Sequence, residues 1–401
     1  EICACLVGSE MCIRDSTFPI AGVPCKMDVV GDTTAMSTPH EIDYTLTFSF
    51  PEDVSFNNLD CTGHMELAYA DQFQIDTYGN YKLITIVDNG RFLLIPEGAA
   101  VPQNIPEDVT VLQQPLDKTY LVSTSVMDLV RQIDAMSDIR LSGTKEDGWY
   151  VEEARKAMEE GDILYAGKYS TPDYELILDE GCNLAIENTM IYHNPEVKEK
   201  LEELGIPVLV ERSSYESHPL GRLEWIRLYG VLFDKEEEAD SFYEAELEKL
   251  EPIMKKESCN VTVAFFSVTA NGTISVRKSN DYVAQMIALS GGTYVPEQLA
   301  GEEENALSTM NIQMEDFYAD AKNADILIYN STIEGEISTL EELKQKNALF
   351  ADFQAVQDGN VYCTTNNFFQ KSTAIGDFME DLNKIFQNTD TEEAGYLKKL
   401  R

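Results

Sequence analysis

Two hydrophobic periodicities alternate along most of this chain. In "CNLAIEN" (182–188) a short apolar run reads as a buried strand. Asn194 then precedes Pro195, a pair suited to opening a helix, and Val197, Leu201 and Leu204 recur on one helical face before Gly205 stops it. "IPVLVE" (206–211) is the next strand, and a strand–helix–strand unit with such short links implies parallel pairing through a right-handed crossover. Upstream, "YKLITIVDNGRFLLIP" (81–96) reads as two strands around the turn signal Asn89-Gly90. "KTYLVSTSVMDLVRQI" (118–133) reads as a strand running into a helix capped by one of the hydroxyls of Ser123, Thr124 and Ser125.

Residues 221–256 read as helix almost throughout. "GRLEWIRLYGVLF" is amphipathic, and "DKEEEADSFYEAELEKLEPIMKK" is acidic at its start and Lys-rich at its end, as the helix dipole favours. The strand–helix alternation then restarts with "VTVAFFS", "DYVAQMIALSGG", "QMEDFYADAKNADILIYNS", "GNVYCTT" and "AIGDFMEDLNKIF". The pattern predicts two α/β lobes, over about 118–211 and 261–387, flanking a helical segment. Such lobes hold a ligand between the C-terminal ends of their strands.

Charge and composition narrow the function. The 401 residues carry 30 Lys and Arg against 71 Asp and Glu, a formal net charge of -41, which repels nucleic acid and anionic lipid. No run reaches the ~18 apolar residues of a membrane helix. Eight cysteines occur without a CxxC pair, so a disulfide scaffold or zinc knuckle is not indicated. Four histidines (His40, His64, His193 and His218) are few for a histidine-rich metal site. No GxSxG, HExxH, GxxxxGK[ST] or GxGxxG motif is present, so catalysis finds little support, and no cofactor is expected.

The order "CNLAIE", "LEELGIPV", "YGVLFDKEEEA", then "SNDYVAQMIALSGGTYV" and "ADILIYNS", resembles the substrate-binding proteins of ABC importers for iron complexes, siderophores, haem and cobalamin. The resemblance spans roughly residues 64–387. It implies an α/β fold of two Rossmann-like lobes joined by a single long helix, the helical-backbone periplasmic-binding-protein fold. On that basis 64–218 is the N-terminal lobe, 219–256 the helical backbone, 257–390 the C-terminal lobe and 391–401 a tail, with 17–63 an irregular or β-rich segment. The implied function is extracytoplasmic capture of an iron chelate (siderophore, haem or a similar metal complex) by a monomer. Delivery is to a membrane permease and its ATPase. Two alternatives remain: a free zinc or manganese binder using His193, His218 and carboxylates, and a two-lobed enzyme of metallocluster or chelatase type.

The opening "EICACLVGSEMCIRDS" does not fit a lipoprotein leader: it lacks a basic start, and Cys5 has no Leu-Ala-Gly type box before it. "LVGSEMCIRDS" resembles a translation of the transposase-type adapter used in DNA library preparation. Residues 1–16 are therefore expected to be an assembly scar, with the native leader missing.

Basic residues are scarce, so their positions carry information. Arg212, Tyr215, His218 and Arg222 follow a strand end, and aromatic faces with Arg donors suit bulky anionic chelates. Glu187, Tyr192 and His193 lie at another strand end, with Trp149 and Tyr169 nearby in sequence. The second lobe offers Arg277, Lys278, Tyr329, Phe368 and Lys371. Arg212 and Arg277 are expected to face the cleft, one from each lobe. The resemblance further implies one acidic permease-docking residue on each lobe, matched here by Glu196 and Asp281.

Overall fold

A computed structural model describes residues 54–296, 309–332, 334–387 and 395–401, plus the backbone of three antiparallel strands nearer the start. These are β1 (Ser16–Ile20), β2 (Val23–Val30) and β3 (Thr45–Ser49). Residues 1–15 of the adapter-like opening lie outside the described residues.

A second β unit follows, in the order β4 (Gly63–His64), β5 (Phe73–Tyr78), β6 (Tyr81–Ile86), β7 (Gly90–Ile95) and β8 (Val109–Gln113). Asp88 adopts a positive φ of 53° in the β6–β7 turn, where the Asn-Gly signal stands. β8 pairs parallel to β7, so this sheet closes on a crossover rather than a further hairpin.

The first lobe comprises β9 (Thr119–Leu121), α1 (Thr124–Gln132), β10 (Ile139–Ser142), α2 (Glu152–Glu160) and β11 (Leu164–Tyr165). The hairpin β12 (Gly167–Lys168) and β13 (Thr171–Pro172) follows, then α3 (Tyr174–Asp179), β14 (Leu184–Glu187), α4 (Pro195–Glu203) and β15 (Val208–Val210). Its sheet is parallel, ordered β11-β10-β9-β14-β15. Pro195 opens α4 and Gly205 leaves it at φ 80°, as the pattern requires. The cap residues behave differently: Asn194 makes no side-chain cap bond, and the Ser123 hydroxyl turns to Ser125 and Glu211.

Two helices leave the lobe, α5 (Pro219–Leu232) and the longer α6 (Glu236–Met254). The second lobe contains β16 (Val261–Val268), β17 (Ile274–Arg277), α7 (Tyr282–Leu289), β18 (Gly292–Val295), β19 (Thr309–Ile312), α8 (Met314–Ala321) and β20 (Ile326–Tyr329). It ends with α9 (Leu340–Lys346), α10 (Gln354–Asp358), β21 (Val361–Thr364), α11 (Ile375–Phe386) and β22 (Leu397–Lys399). Its sheet runs β19-β17-β16-β20-β21-β22, with β18 on the first half of β16. The two lobes thus have separate sheets.

α5 is buried along nearly its whole length, and its start is tied to the β4–β8 unit by two carboxylates. Glu224 accepts the backbone N–H groups of Ala68, Tyr69 and Ala70 at 2.8–2.9 Å. Glu216 accepts those of Asp71 and Gln72 at 3.1 Å and the Trp225 indole N–H at 2.9 Å. Five consecutive amides are satisfied this way. The segment comes so close that a Cβ on Gly221 would sit 2.9 Å from the Tyr69 carbonyl oxygen. Arg227 balances Glu224 at 3.4 Å and Asp240 at 2.7 Å.

Glu187 ends β14 with its carboxyl fully buried and both oxygens without a hydrogen-bond partner among the described residues. Burial pushes its pKa up to about 8, so the folded protein carries it protonated at neutral pH.

Two outcomes follow for stability. Glu224→Ala leaves three amides without their acceptor, while Arg227 keeps Asp240, and should cost about 3–5 kcal/mol. Hydrogen exchange at residues 68–70 would accelerate first, and unchanged exchange there would refute the anchoring role. For Glu187, the folded state holds a proton that the unfolded state has lost between pH 4.5 and about 8. Its contribution is therefore present below pH 4.5 and declines as pH rises, by about 1.4 kcal/mol per unit. In thermal melts, Glu187→Gln should match the wild type near pH 4.5 and become progressively the more stable protein toward pH 8. Parallel profiles would show that Glu187 is ionised in the fold.

Candidate functional site

The lobes meet through one loop of the second lobe, residues 370–373. The Thr373 amide and hydroxyl donate to Asp128 Oδ2 at 2.9 and 2.6 Å, and Lys371 lies 3.7 Å from the same carboxylate. Asp128 is fully buried on α1 and also pairs with Arg131 at 2.9 Å. Ser372 donates to the Ser125 carbonyl at 2.7 Å. The Gln370 side chain donates to Gly148 O at 2.8 Å and accepts from Tyr150 N at 2.7 Å.

Beside this contact lies a cavity of about 20 Å³, room for a water or two, lined by Arg222, Tyr282, Met286, Phe368, Phe369 and Lys371 among others. Arg222, in the first turn of α5, places its guanidinium 4.1 Å from the Tyr282 ring centre. Among the described residues this is its sole polar or ring contact: no ion pair or hydrogen bond reaches it. Arg277 stands 6.0 Å from the same ring and 4.9 Å from Phe369. Its backbone is pinned by the Tyr294 hydroxyl, which accepts from Arg277 N at 3.0 Å and donates to Arg277 O at 2.7 Å. The arrangement pairs cationic donors with aromatic faces in a low-dielectric seam, where a charge-assisted bond to an anion is strong.

Arg222, Arg277, Phe368 and Lys371 therefore converge with Tyr282 and Phe369, their neighbours in the same sequence stretches, and Asp128, which the sequence did not single out, joins them. Arg212 does not. Its guanidinium is nearly buried, 3.9 Å over the Tyr215 ring, bonded to Gln72 and 3.3 Å from Asp88 in the β6–β7 turn. These local partners occupy it, which corrects the expectation that it faces the cleft opposite Arg277. His218 caps α5, its Nδ1 accepting from Leu220 N at 3.2 Å, and stacks 4.3 Å from Tyr69. Burial lowers its pKa. Trp149 is a core residue whose indole donates to Ser142. Tyr329 is fully buried in the second lobe's core. Neither ring has the free face a ligand needs.

Tyr192 and His193 are exposed on the turn before α4, Tyr169 packs against the first lobe's core, and Lys278 is half-buried beyond β17. Neither His193 nor His218 belongs to a group of three potential metal ligands among the described residues, so the free-metal reading gains no site there. Glu196 is exposed in the first turn of α4. Asp281 is not: it is buried, caps α7 by accepting from Val283 N at 2.9 Å, and lies 3.6 Å from Arg277. A rim contact needs a free carboxylate, so the expectation of docking through Asp281 is corrected. A larger concavity, about 500 Å³, lies away from the inter-lobe seam beside the β12–β13 hairpin and the start of α3. It is lined by Tyr165, Gly167, Thr171 and Tyr174 among others, and is a broad surface groove rather than an enclosure.

Comparison with known proteins agrees with this architecture. The chain is 25% identical over 301 residues to an uncharacterized lipoprotein of Methanocaldococcus jannaschii, covering 72% of this chain and 70% of the relative. A periplasmic haem-binding protein from Pseudomonas aeruginosa superposes with a TM-score of 0.54 at 15% identity, over 71% of this chain and 98% of that one. The catecholate-siderophore binding protein VctP of Vibrio cholerae gives 0.51 at 14% identity, over 66% and 92%. Among the described residues no helix is long and apolar enough to cross a membrane. The profile of the family described as "Periplasmic binding protein" matches residues 124–367, from α1 to just short of the loop that closes on Asp128, and the chain belongs to that family of substrate-binding proteins.

Proposed function

We propose that this protein captures an anionic iron chelate, of the siderophore or haem class, between its lobes and delivers it to the permease of an ABC importer outside the cytoplasm. The observation that carries this reading is Arg222. A guanidinium held over Tyr282 at an inter-lobe seam, with no carboxylate partner among the described residues, is rare on a chain with this surplus of acids. It suits an incoming carboxylate or phenolate, and stacking keeps it in place meanwhile. The haem- and siderophore-binding proteins that share the fold support the ligand class. Because the seam encloses so little space, entry requires the 370–373 loop to part from Asp128.

Arg222→Ala should weaken binding of an anionic ferric chelate or of haem more than tenfold, about 1.4 kcal/mol, in a fluorescence-quenching titration. Equal affinity in both proteins would remove the seam from the ligand site. Delivery has a separate test. Glu196 is the remaining docking candidate, and Glu196→Lys should leave ligand affinity unchanged yet abolish permease-dependent uptake. Uptake at the wild-type rate would place docking elsewhere or refute the transport reading.

A further inference from the structure

The β4–β8 unit lies outside the family-matched residues and carries a cluster the transport reading does not use. Cys61, His64 and Asp76 present ligand atoms that all lie within 4.8 Å of one another. The sheet puts them there. His64 on β4 sits directly opposite Asp76 on β5 in the antiparallel register, and Cys61 lies three residues before His64, where the chain enters the strand. The Thr62 amide and hydroxyl both donate to Thr77 O, at 2.7 and 3.1 Å, which fixes the backbone between cysteine and histidine.

The two ring nitrogens of His64 have different partners. Nδ1 is 2.6 Å from Asp76 Oδ1. An ionised carboxylate only accepts, so Nδ1 carries the proton and Nε2 keeps its lone pair. That carboxylate is itself held by the Gln74 amide, at 2.8 and 3.0 Å. Nε2 faces the Cys61 sulfur at 3.8 Å. An acidic residue orienting a histidine whose other nitrogen is free is the arrangement that supports metal-bound imidazoles.

We infer that Cys61 and His64 bind a thiophilic metal ion of the zinc type, with Asp76 as the positioning residue. With zinc–sulfur and zinc–nitrogen bonds of about 2.3 and 2.0 Å, tetrahedral coordination sets the two ligand atoms roughly 3.5 Å apart. The observed 3.8 Å is within a small rotation of exposed side chains. Two protein ligands leave the other coordination positions to solvent or a second molecule, so this is an open site. The same order of groups, thiol then imidazole then carboxylate, also serves nucleophilic catalysis. That use needs a substrate cleft and oxyanion donors, and these residues line neither the seam cavity nor the groove beside the β12–β13 hairpin.

The test is titration of the reduced full-length chain with cobalt(II) as a spectroscopic stand-in, under oxygen-free conditions, followed by displacement with zinc. Expected is a thiolate-to-cobalt charge-transfer band that saturates at one equivalent and is abolished in Cys61→Ser. His64→Ala should weaken binding at least tenfold, and Asp76→Asn about 10–100-fold, the usual cost of losing such an orienting group. Chelate binding by the Cys61→Ser variant should equal the wild type, which separates this site from the seam at Arg222. The inference is overturned by the absence of a band, by a band that survives in Cys61→Ser, or by Asp76→Asn titrating as wild type. Rapid alkylation of Cys61 without cobalt binding would also overturn it, in favour of an activated thiol.

Discussion

Helix α5 cannot lie where it does unless two glutamates on its approach and its first turns are fully bonded. It is the most deeply buried helix among the described residues, and Glu216 and Glu224 go into the interior with it. A carboxyl group in such a place is tolerated only when its oxygens are saturated, and desolvation already pushes the pKa of Glu216 up to about 7. Here the saturating donors are five successive main-chain amides of residues 68–72 and the Trp225 indole. Those amides need acceptors equally, because in this segment they have no strand partner. Each side resolves the other's problem. The β4–β8 unit is thereby fixed to the core around which both lobes are arranged. Phe73 packs edge-on to Trp225 at 5.1 Å and completes the joint with apolar area.

The contact between the lobes follows similar physics on a smaller scale. Asp128 is buried and gathers Thr373, Arg131 and Lys371. The other lobe-to-lobe bonds of this loop run to main-chain carbonyls and an amide. A polar closure of this kind separates at modest cost, because water replaces each bond when the loop lifts away. An apolar seam would resist opening more. The aromatic faces of Tyr282 and Phe369 behind the loop keep Arg222 and Arg277 in place meanwhile. The family's binding-and-release task fits a closure that combines a preformed cationic–aromatic wall with a bonded but hydratable latch.

Much of the fold was legible because it rests on local chemistry. The 2.0 and 3.6 periodicities located β14, α4 and β15, and the Pro195 and Gly205 positions bounded the helix between them. The Asn-Gly turn announced β6 and β7, and the acidic start of α6 marked the long helix toward the second lobe. Caps were less legible. Ser123 has a choice of acceptors, and the choice fell to Glu211, 88 residues away in sequence.

The site divides along the same line. From the sequence alone came the lobes, the exclusion of nucleic acid by a net charge of -41, and a short set of basic and aromatic residues that included Arg222, Arg277, Phe368 and Lys371. Which of these meet was decided only by tertiary structure. Arg212 and Arg222 look equivalent as letters, ten residues apart, but Asp88 and Gln72 arrive from another sheet to claim the first and no described carboxylate claims the second. Asp281 reads as a surface acid until α7 uses it as a cap. Cys61 and His64 did not stand out in the sequence, and they become a site only when β5 brings Asp76 across. Patterns of burial and turn chemistry are written into neighbouring residues, whereas the partner of a charge is chosen among groups distant in sequence, by which of them the fold carries within bonding distance.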